Sequence, residues 1–180
     1  MAGATKLMTA GGGGVSLTPA SSIASDVTVN VPSQNCTLDI QGPAFSAYQS
    51  ANQTSIATST WTKMQMNTEE YDTANCYDSS TNYRFTPNVA GYYLVIGQVS
   101  GADTNNTVTL AAIYKNGSLA RYATGVNTPS GGSPIISNEM YMNGTTDYIE
   151  LYGFQNTGSS KTLYGGQTTS FFQAALVRAA

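Results

Sequence analysis

The chain has 180 residues, of which 41% are apolar and only 9% are charged, so one hydrophobic core can form beneath an uncharged polar surface. Its seven Lys and Arg residues form no cluster, which argues against nucleic-acid binding, because phosphate recognition needs grouped cations. No apolar run approaches the ~18 residues of a membrane helix. Composition therefore predicts one folded domain with an arm, and neither a nucleic-acid nor a membrane partner.

Residues 1–43 differ from the rest of the chain and predict an extended arm. The segment begins with Gly- and Ala-rich sequence that ends in four glycines, Gly11–Gly14, and such a segment cannot fold alone. Apolar residues then alternate with polar ones, which is the period-two pattern of a strand that pairs with a neighbour. The residues that we expect to anchor this arm are Val15, Leu17, Val27, Val29 and Val31.

Residues 44–180 contain strand-like segments separated by turn residues, and no segment carries a helical period. The predicted strands are Phe45–Tyr48, Trp61–Met66, Asn82–Thr86, Gly91–Ser100, Thr107–Lys115, Ser118–Ala123, Ile135–Met142, Tyr148–Phe154 and Ser170–Val177. Asn116-Gly117 is a strong hairpin signal, because both positions of the tight turn need positive φ. A second turn is predicted at Asn143-Gly144. This spacing of short strands predicts an all-β sandwich or barrel.

The sequence offers little for catalysis. It contains no histidine, which removes Ser-His-Asp and Cys-His triads and the commonest metal ligand. Cys36 and Cys76 would lack their usual base, and two free thiols are favoured over a disulfide between them. We therefore predict that the protein is not an enzyme.

The only acidic cluster of the sequence comprises Glu69, Glu70, Asp72 and Asp78. A solvated loop between strands is the favoured interpretation. A calcium site is the first alternative, because calcium takes several carboxylate oxygens, although the spacing matches no EF-hand. A paired-carboxylate hydrolase site is the second alternative. We expect no cofactor, with calcium as the one candidate.

Tyrosine is frequent, with 12 residues against a single tryptophan. Tyrosine suits strands, and it also offers contact area together with a hydroxyl at a binding surface. Neighbouring strand residues point to opposite faces, so one of Tyr92 and Tyr93 can lie in the core and the other at a contact surface. Packing in the core or between subunits is favoured over ligand contact.

Several short motifs occur in order along residues 44–178. Arg84, Phe85, Pro87, Gly91 and Tyr93 form an R-F-x-P-x-x-x-G-x-Y element before a long strand, and we expect Gly91 to supply backbone freedom at the start of that strand. Three further motifs follow at Ile113–Ser118, Asp147–Leu151 and Ser170–Val177. Together the motifs resemble those of complement-component globular heads (C-one-q) and tumour-necrosis-factor-like jelly rolls.

This resemblance implies a ten-strand jelly-roll sandwich that forms tight homotrimers and acts as a non-catalytic recognition head. Trimer cores of this family use apolar and aromatic strand residues, which would account for the many tyrosines and the few charges. The side chains expected in the core or in the trimer contact are Phe45, Trp61, Phe85, Gly91, Tyr92, Tyr93, Tyr152, Phe171 and Leu176.

The arm carries a second resemblance. Leu17–Pro32 is similar in composition to connector segments of tailed-bacteriophage structural proteins, which precede a terminal globular head. This implies a virion protein, made in the host cytoplasm because the N-terminus shows no signal peptide. The favoured function is a trimeric capsid decoration (cement) protein whose arm binds the capsid shell. The alternatives are a tail-fibre or spike tip that binds a host-surface receptor, and a free recognition module of the lectin type.

Overall fold

The computed structural model describes two strands near the N-terminus and then residues 42–101, 107–129 and 131–180. The chain divides into two compact units, residues 1–39 and 40–180. In the first unit, β1 (Thr5–Met8) pairs in antiparallel register with β2 (Gly14–Leu17), which contains the predicted strand at Val15–Leu17. The predicted anchors Val27, Val29 and Val31 lie outside the described residues. The boundary between arm and head at residue 43 stays a prediction.

Among its described residues, the second unit contains strands and no helix, which confirms the all-β prediction. Its strands are β3 (Ala44–Tyr48), β4 (Gln53–Ile56), β5 (Thr62–Lys63), β6 (Thr68–Asp72), β7 (Tyr77–Asp78), β8 (Arg84–Phe85), β9 (Ala90–Gln98), β10 (Ser100–Gly101), β11 (Val108–Lys115), β12 (Ser118–Val126), β13 (Ile135–Asn143), β14 (Ile149–Gln155), β15 (Lys161–Tyr164) and β16 (Phe171–Ala179). Ten of these strands have four residues or more, and four have only two. In the part of the chain that is described, nothing forms a helix that could cross a membrane.

Two antiparallel sheets pack against each other as a jelly roll. The five-stranded sheet has the order β13-β9-β16-β3-β6. The six-stranded sheet has the order β12-β11-β14-β8-β7, and its sixth strand, β5, also pairs with β14. A third sheet has the order β10-β15-β4. Because consecutive strands such as β8 and β9 belong to different sheets, the chain crosses repeatedly between them.

Aromatic rings join the two large sheets in the core. Phe45 of β3 stacks on Tyr77 of β7 and on Phe85 of β8, with ring centroids 4.4 and 4.6 Å away. It also meets Phe172 of β16 edge-on at 5.1 Å. Such pairs contribute about 0.5–1.5 kcal/mol each beyond the area that they bury. Phe45 and Phe85 therefore lie at the point where the two sheets are held together.

Gly91 in β9 is required for a reason other than backbone freedom, because its φ is not in the left-handed region. A Cβ atom at this position would lie 2.4 Å from the carbonyl oxygen of Arg178 and 2.7 Å from the Leu176 side chain. The close approach of β16 to β9 therefore demands glycine, and the expectation of a flexible strand start is wrong.

The two predicted Asn-Gly turns differ in kind. Asn116 and Gly117 have φ values of 52° and 76°, and they close the β11–β12 hairpin, as predicted. At the second turn only Gly144 has a positive φ, of 72°. There the side-chain oxygen of Asn143 accepts hydrogen bonds from three backbone N–H groups, those of residues 145, 146 and 147. This longer turn carries the chain from β13 in one sheet to β14 in the other.

Four strands of the second unit were not predicted: β4, β6, β7 and β15. Three of them, β4, β6 and β7, end their sheets. The sequences of β4 and β6, QTSI and TEEYD, are polar and largely exposed. Two predicted strands are shorter than expected. The strand at Trp61–Met66 is reduced to Thr62–Lys63, and Met64 and Met66 after it are both buried in the core. The strand at Asn82–Thr86 is reduced to Arg84–Phe85, because Asn82 hydrogen-bonds the Asp78 side chain.

Candidate functional site

Along β9, alternate side chains face the core and the outward side of the five-stranded sheet. Tyr93 and Val95 are fully buried, whereas Tyr92 and Leu94 keep 43% and 41% of their surface exposed. Burial raises the pKa of the Tyr93 hydroxyl to about 12, and this hydroxyl donates a hydrogen bond to the Val89 carbonyl at 2.8 Å. The adjacent tyrosines therefore serve different surfaces.

The apolar side chains of β9 continue across the neighbouring strands. Tyr141 of β13 lies opposite Tyr92 in the register, and the two ring centroids are 5.6 Å apart. Phe171 of β16 lies opposite Gln98 and projects to the same side, partly exposed. The open face is defined here as Tyr92, Leu94, Ile96, Tyr141 and Phe171. A sheet face that meets only water usually carries polar side chains, so this one is unusually apolar.

A polar group lies on the same side of the five-stranded sheet as the open face. The Ser46 hydroxyl and the Gln167 side-chain amide each donate a hydrogen bond of 2.5 Å to the Glu70 carboxylate. The Ser46 hydroxyl lowers the pKa of Glu70 most, and Gln167 adds to the effect. Ser46 is opposite Gln173, which is opposite Ile96. A fixed negative charge therefore lies beside the open face.

Two further exposed apolar residues lie on adjacent edge strands. β12 ends the six-stranded sheet and β13 ends the five-stranded sheet, and the two strands are adjacent. Val126 at the end of β12 and Ile135 at the start of β13 are 69% and 56% exposed. Ile135 is opposite Gln98 and therefore projects to the same side as Phe171, whereas Val126 projects to the same side of β12 as Tyr122.

The outward side of the six-stranded sheet carries a cluster of rings. Trp61 lies with its ring centroid 5.1 Å from Phe154, 6.2 Å from Tyr114 and 6.3 Å from Tyr122. Tyr114 stacks on Tyr152 at 3.9 Å. The register places Tyr122 and Tyr152 on either side of Ala112, which confirms a common face. These five aromatic residues are called the aromatic platform.

Charged side chains lie at the border of the aromatic platform. Lys63 of β5 forms an ion pair with Glu150, whose side chain is only 4% exposed. Arg84 lies over the Tyr148 ring at 4.6 Å and is opposite Asp78 in the register. The Lys63 charge is therefore neutralised by an ion pair, and the Arg84 cation is held against a ring.

The carboxylates of the predicted acidic cluster form hydrogen bonds with different partners. Asp72 accepts hydrogen bonds from the backbone N–H groups of Ala74 and Tyr77, and Glu69 binds the Ser79 hydroxyl. Asp78 accepts hydrogen bonds from the backbone N–H groups of residues 80, 81 and 82. These bonds hold the pKa of Asp78 well below its usual range, and the bond from residue 81 has the largest effect. Within residues 42–101, 107–129 and 131–180, no three His, Cys, Asp or Glu side chains converge as a metal site. The expectation of no cofactor, with calcium as the candidate, stays a prediction.

Cys76 is a free thiol, and Cys36 lies outside the described residues. Burial raises the pKa of Cys76, and its thiol donates to the Ala74 carbonyl. It lines a shallow depression of about 440 Å³ together with Asp78 and Arg84. A thiol with a raised pKa is a poor nucleophile, so this depression has none of the activation that cysteine catalysis requires.

The predicted core or trimer residues separate into three groups. Phe45, Phe85, Gly91 and Tyr93 are buried between the sheets, and Leu176 packs against that core, partly exposed. Tyr92 and Phe171 lie on the open face. Trp61 and Tyr152 lie instead on the aromatic platform. The neighbours of Tyr152 in β14, Leu151 and Gly153, are buried, so Tyr152 projects to the opposite, outward side of the sheet.

Some residues of these surfaces were missed from the sequence. The alternation of Tyr92, Leu94 and Ile96 with buried neighbours could have revealed the open face. No sequence signal marks the Lys63–Glu150 pair, because its members are 87 positions apart.

No family model matches this chain, and no curated protein matches it. Solved structures share its fold. Eiger TNF from S. frugiperda matches with a TM-score of 0.56 at 10% identity, covering 77% of this chain and 95% of that chain. Murine APRIL at pH 5.0 matches with a TM-score of 0.57 at 10% identity, covering 76% and 100%. PRD1 vertex protein P5 matches with a TM-score of 0.57 at 15% identity, covering 78% and 100%. The predicted tumour-necrosis-factor-like jelly roll is therefore confirmed as the fold of this chain.

Proposed function

We propose that this chain is a phage virion structural protein whose jelly-roll heads form a homotrimer and whose N-terminal arm attaches them to the capsid shell. In this role it is a capsid decoration (cement) protein without catalytic activity. The observation that carries the proposal is the open face, where Tyr92 and Leu94 leave over 40% of their surface exposed in the single protomer. Apolar strand residues exposed to this extent favour contact with another protein surface.

The contact that we favour joins unlike surfaces. The open face is largely aromatic, whereas the exposed edge-strand residues Val126 and Ile135 are aliphatic. A contact between different patches of identical subunits is heterologous, and heterologous contacts form closed rings when the rotation closes. A ring of three agrees with the trimers implied by the resemblance to tumour-necrosis-factor-like jelly rolls. In such a trimer Glu70 would lie beside the contact and favour one register.

Support for a virion location comes from two independent sources. The fold of the phage vertex protein P5 of PRD1 fits a phage structural role for this chain. Within the arm, Leu17–Pro32 resembles connector segments of tailed-phage structural proteins. The first source concerns the head and the second concerns the arm. Together they favour a virion protein over a free recognition module of the lectin type.

A receptor-binding tip of a tail fibre or spike is the second candidate. The aromatic platform favours it, since assembly through the open face would leave Trp61 and its neighbours on another surface. Labelling purified virions with gold-conjugated antibody separates the two candidates. We expect gold over the capsid shell. Gold at the tail would support the tip instead, and gold at neither place would contradict a virion role.

The role of the arm has its own experiment. Removal of residues 1–31 should leave a folded head that no longer attaches to virions, because the head residues 42–180 contain the core. The measurement compares circular dichroism of the shortened protein with its co-sedimentation with virions that lack the full-length protein. Attachment at the level of the full chain would show that the arm is not the anchor.

A further inference from the structure

We propose that the aromatic platform of the six-stranded sheet is a binding site for an uncharged saccharide. This inference goes beyond assembly, which uses the other sheet. The platform comprises Trp61, Tyr114, Tyr122, Tyr152 and Phe154, and it lies on the outward side of strands β11, β12 and β14. The occupant to which the proposal commits is a neutral oligosaccharide of a cell surface, and not a protein.

The rings provide the surface that a sugar recognises. The faces of aromatic rings carry negative partial charge, and the C–H groups on one side of a pyranose ring carry positive partial charge, so the two attract each other. Tyr122 is the most exposed member, with 59% of its surface accessible. Its ring lies 6.3 Å from Trp61, which in turn lies 5.1 Å from Phe154. Consecutive rings at this spacing can contact more than one sugar unit.

Mutual contact makes the platform rigid before any ligand arrives. Tyr114 and Tyr152 stack at 3.9 Å with an interplanar angle of 24°, and Trp61 lies against three other rings. Aromatic side chains have few rotatable bonds, and packed ones lose little entropy on binding. A rigid, partly covered surface suits a small polar ligand better than a protein partner, which would need a larger exposed apolar centre.

The charged groups at the border favour an uncharged ligand. Lys63 is paired with Glu150, and the Arg84 guanidinium lies over the Tyr148 ring. The ammonium of Lys63 is therefore already paired, and one face of the Arg84 guanidinium is covered by a ring. The Lys63 side chain, which is 32% exposed, still offers N–H donors to sugar hydroxyls at the border of the rings.

Hydroxyl groups of the platform complete this match. Burial raises the pKa of both Tyr114 and Tyr152, and Glu150 adds to the effect at Tyr152. Both phenols therefore remain protonated over the whole neutral range and can each donate and accept a hydrogen bond. Saccharides present many hydroxyl groups and need such groups beside an apolar ring face.

The test uses the full-length protein and its single tryptophan. Labelled protein is applied to a printed array of neutral and sialylated oligosaccharides, and the strongest neutral glycan is titrated while Trp61 emission is followed. We expect binding to neutral glycans and a saturable change in Trp61 emission. The Tyr122→Ala variant should weaken binding at least tenfold, and Tyr122→Phe should weaken it less, because the ring remains.

Tyr71→Ala is the matched control, because Tyr71 is 49% exposed on β6 of the other sheet. It should bind glycan as the wild type does. Absence of array binding by the wild type, binding confined to sialylated glycans, or unchanged binding by Tyr122→Ala would each overturn the proposal. Glycan binding is measured on purified protein, so its failure is distinguishable from failure of the virion role or of the trimer.

Discussion

The two outward faces of this sandwich are both rich in aromatic residues, yet they differ in what their apolar side chains contact. On the open face, Leu94 and Tyr92 project from β9, and Tyr141 contacts the Tyr92 ring. On the aromatic platform, rings cover one another, and an ion pair with a buried carboxylate lies beside them. In the proposed trimer another protomer covers the apolar surface of the open face, whereas the rings of the platform other than Tyr122 are partly covered by their own protomer.

This difference teaches how aromatic content should be interpreted in a jelly roll. A count of tyrosines does not distinguish side chains that contact another subunit from side chains that stabilise their own sheet. The contacts of each ring distinguish the two groups. If this distinction is correct, substitutions on the platform should mainly reduce protomer stability, and substitutions on the open face should mainly reduce assembly.

The largest effect on protomer stability is expected at the ion pair beside the platform. Lys63→Met leaves the Glu150 carboxylate buried without its cation, and we expect a loss of about 2–3 kcal/mol in the free energy of unfolding, measured with urea. Adding Glu150→Gln should restore part of the loss. Lys161→Met serves as control, since Lys161 forms no ion pair among the described residues. Wild-type stability for Lys63→Met would contradict the role assigned to this pair.

A smaller effect separates the two faces directly. Tyr152→Ala removes a ring stacked at 3.9 Å and should lower protomer stability by about 2 kcal/mol. Tyr92→Ala removes an exposed ring and should lower it by less than about 1 kcal/mol. Both changes are made in a Leu94→Glu background, so that assembly does not contribute to the thermal transition. Equal losses would mean that the two faces do not differ.

The smallest expected effect is on how the stability of the protomer depends on pH in the acidic range. Hydrogen bonds from Ser46 and Gln167 lower the pKa of Glu70 below 4.5, so folding favours the ionised form. The stability from this carboxylate is therefore present above pH 4.5 and is lost as the pH falls through the lowered value. Urea midpoints measured between about pH 5 and pH 3 should fall less steeply for Glu70→Gln than for the wild type. An identical slope would show that these hydrogen bonds do not stabilise the folded state.

Much of the fold could be predicted from the sequence, because long strands with a buried side show their period. The β9 pattern and the Asn116-Gly117 hairpin are local signals, and both are found in the structure. The edge strands β4 and β6 were missed because their exposed side chains carry no apolar alternation. The reason for Gly91 was also missed, since it depends on the Arg178 carbonyl of a strand distant in sequence.

The surfaces were harder to predict than the strands. Alternation shows that Tyr92 and Tyr93 face opposite sides, but not which side is covered. The platform joins Trp61 to Tyr122 and Phe154 through pairings between β5, β11, β12 and β14, and no short motif encodes these contacts. Assignment of Trp61 and Tyr152 to the core or trimer was reasonable from residue type alone. Only the strand register separates these rings from the open face.

The central claim is that the open face joins identical protomers, and native mass spectrometry at micromolar concentration tests it most directly. Wild-type protein should have the mass of three chains. Leu94→Glu places an unpaired carboxylate in the proposed contact and should give the mass of one chain, whereas Ala57→Glu, on an exposed loop residue after β4, should remain a trimer. A monomeric wild type, or a Leu94→Glu protein that remains fully trimeric, would contradict the account.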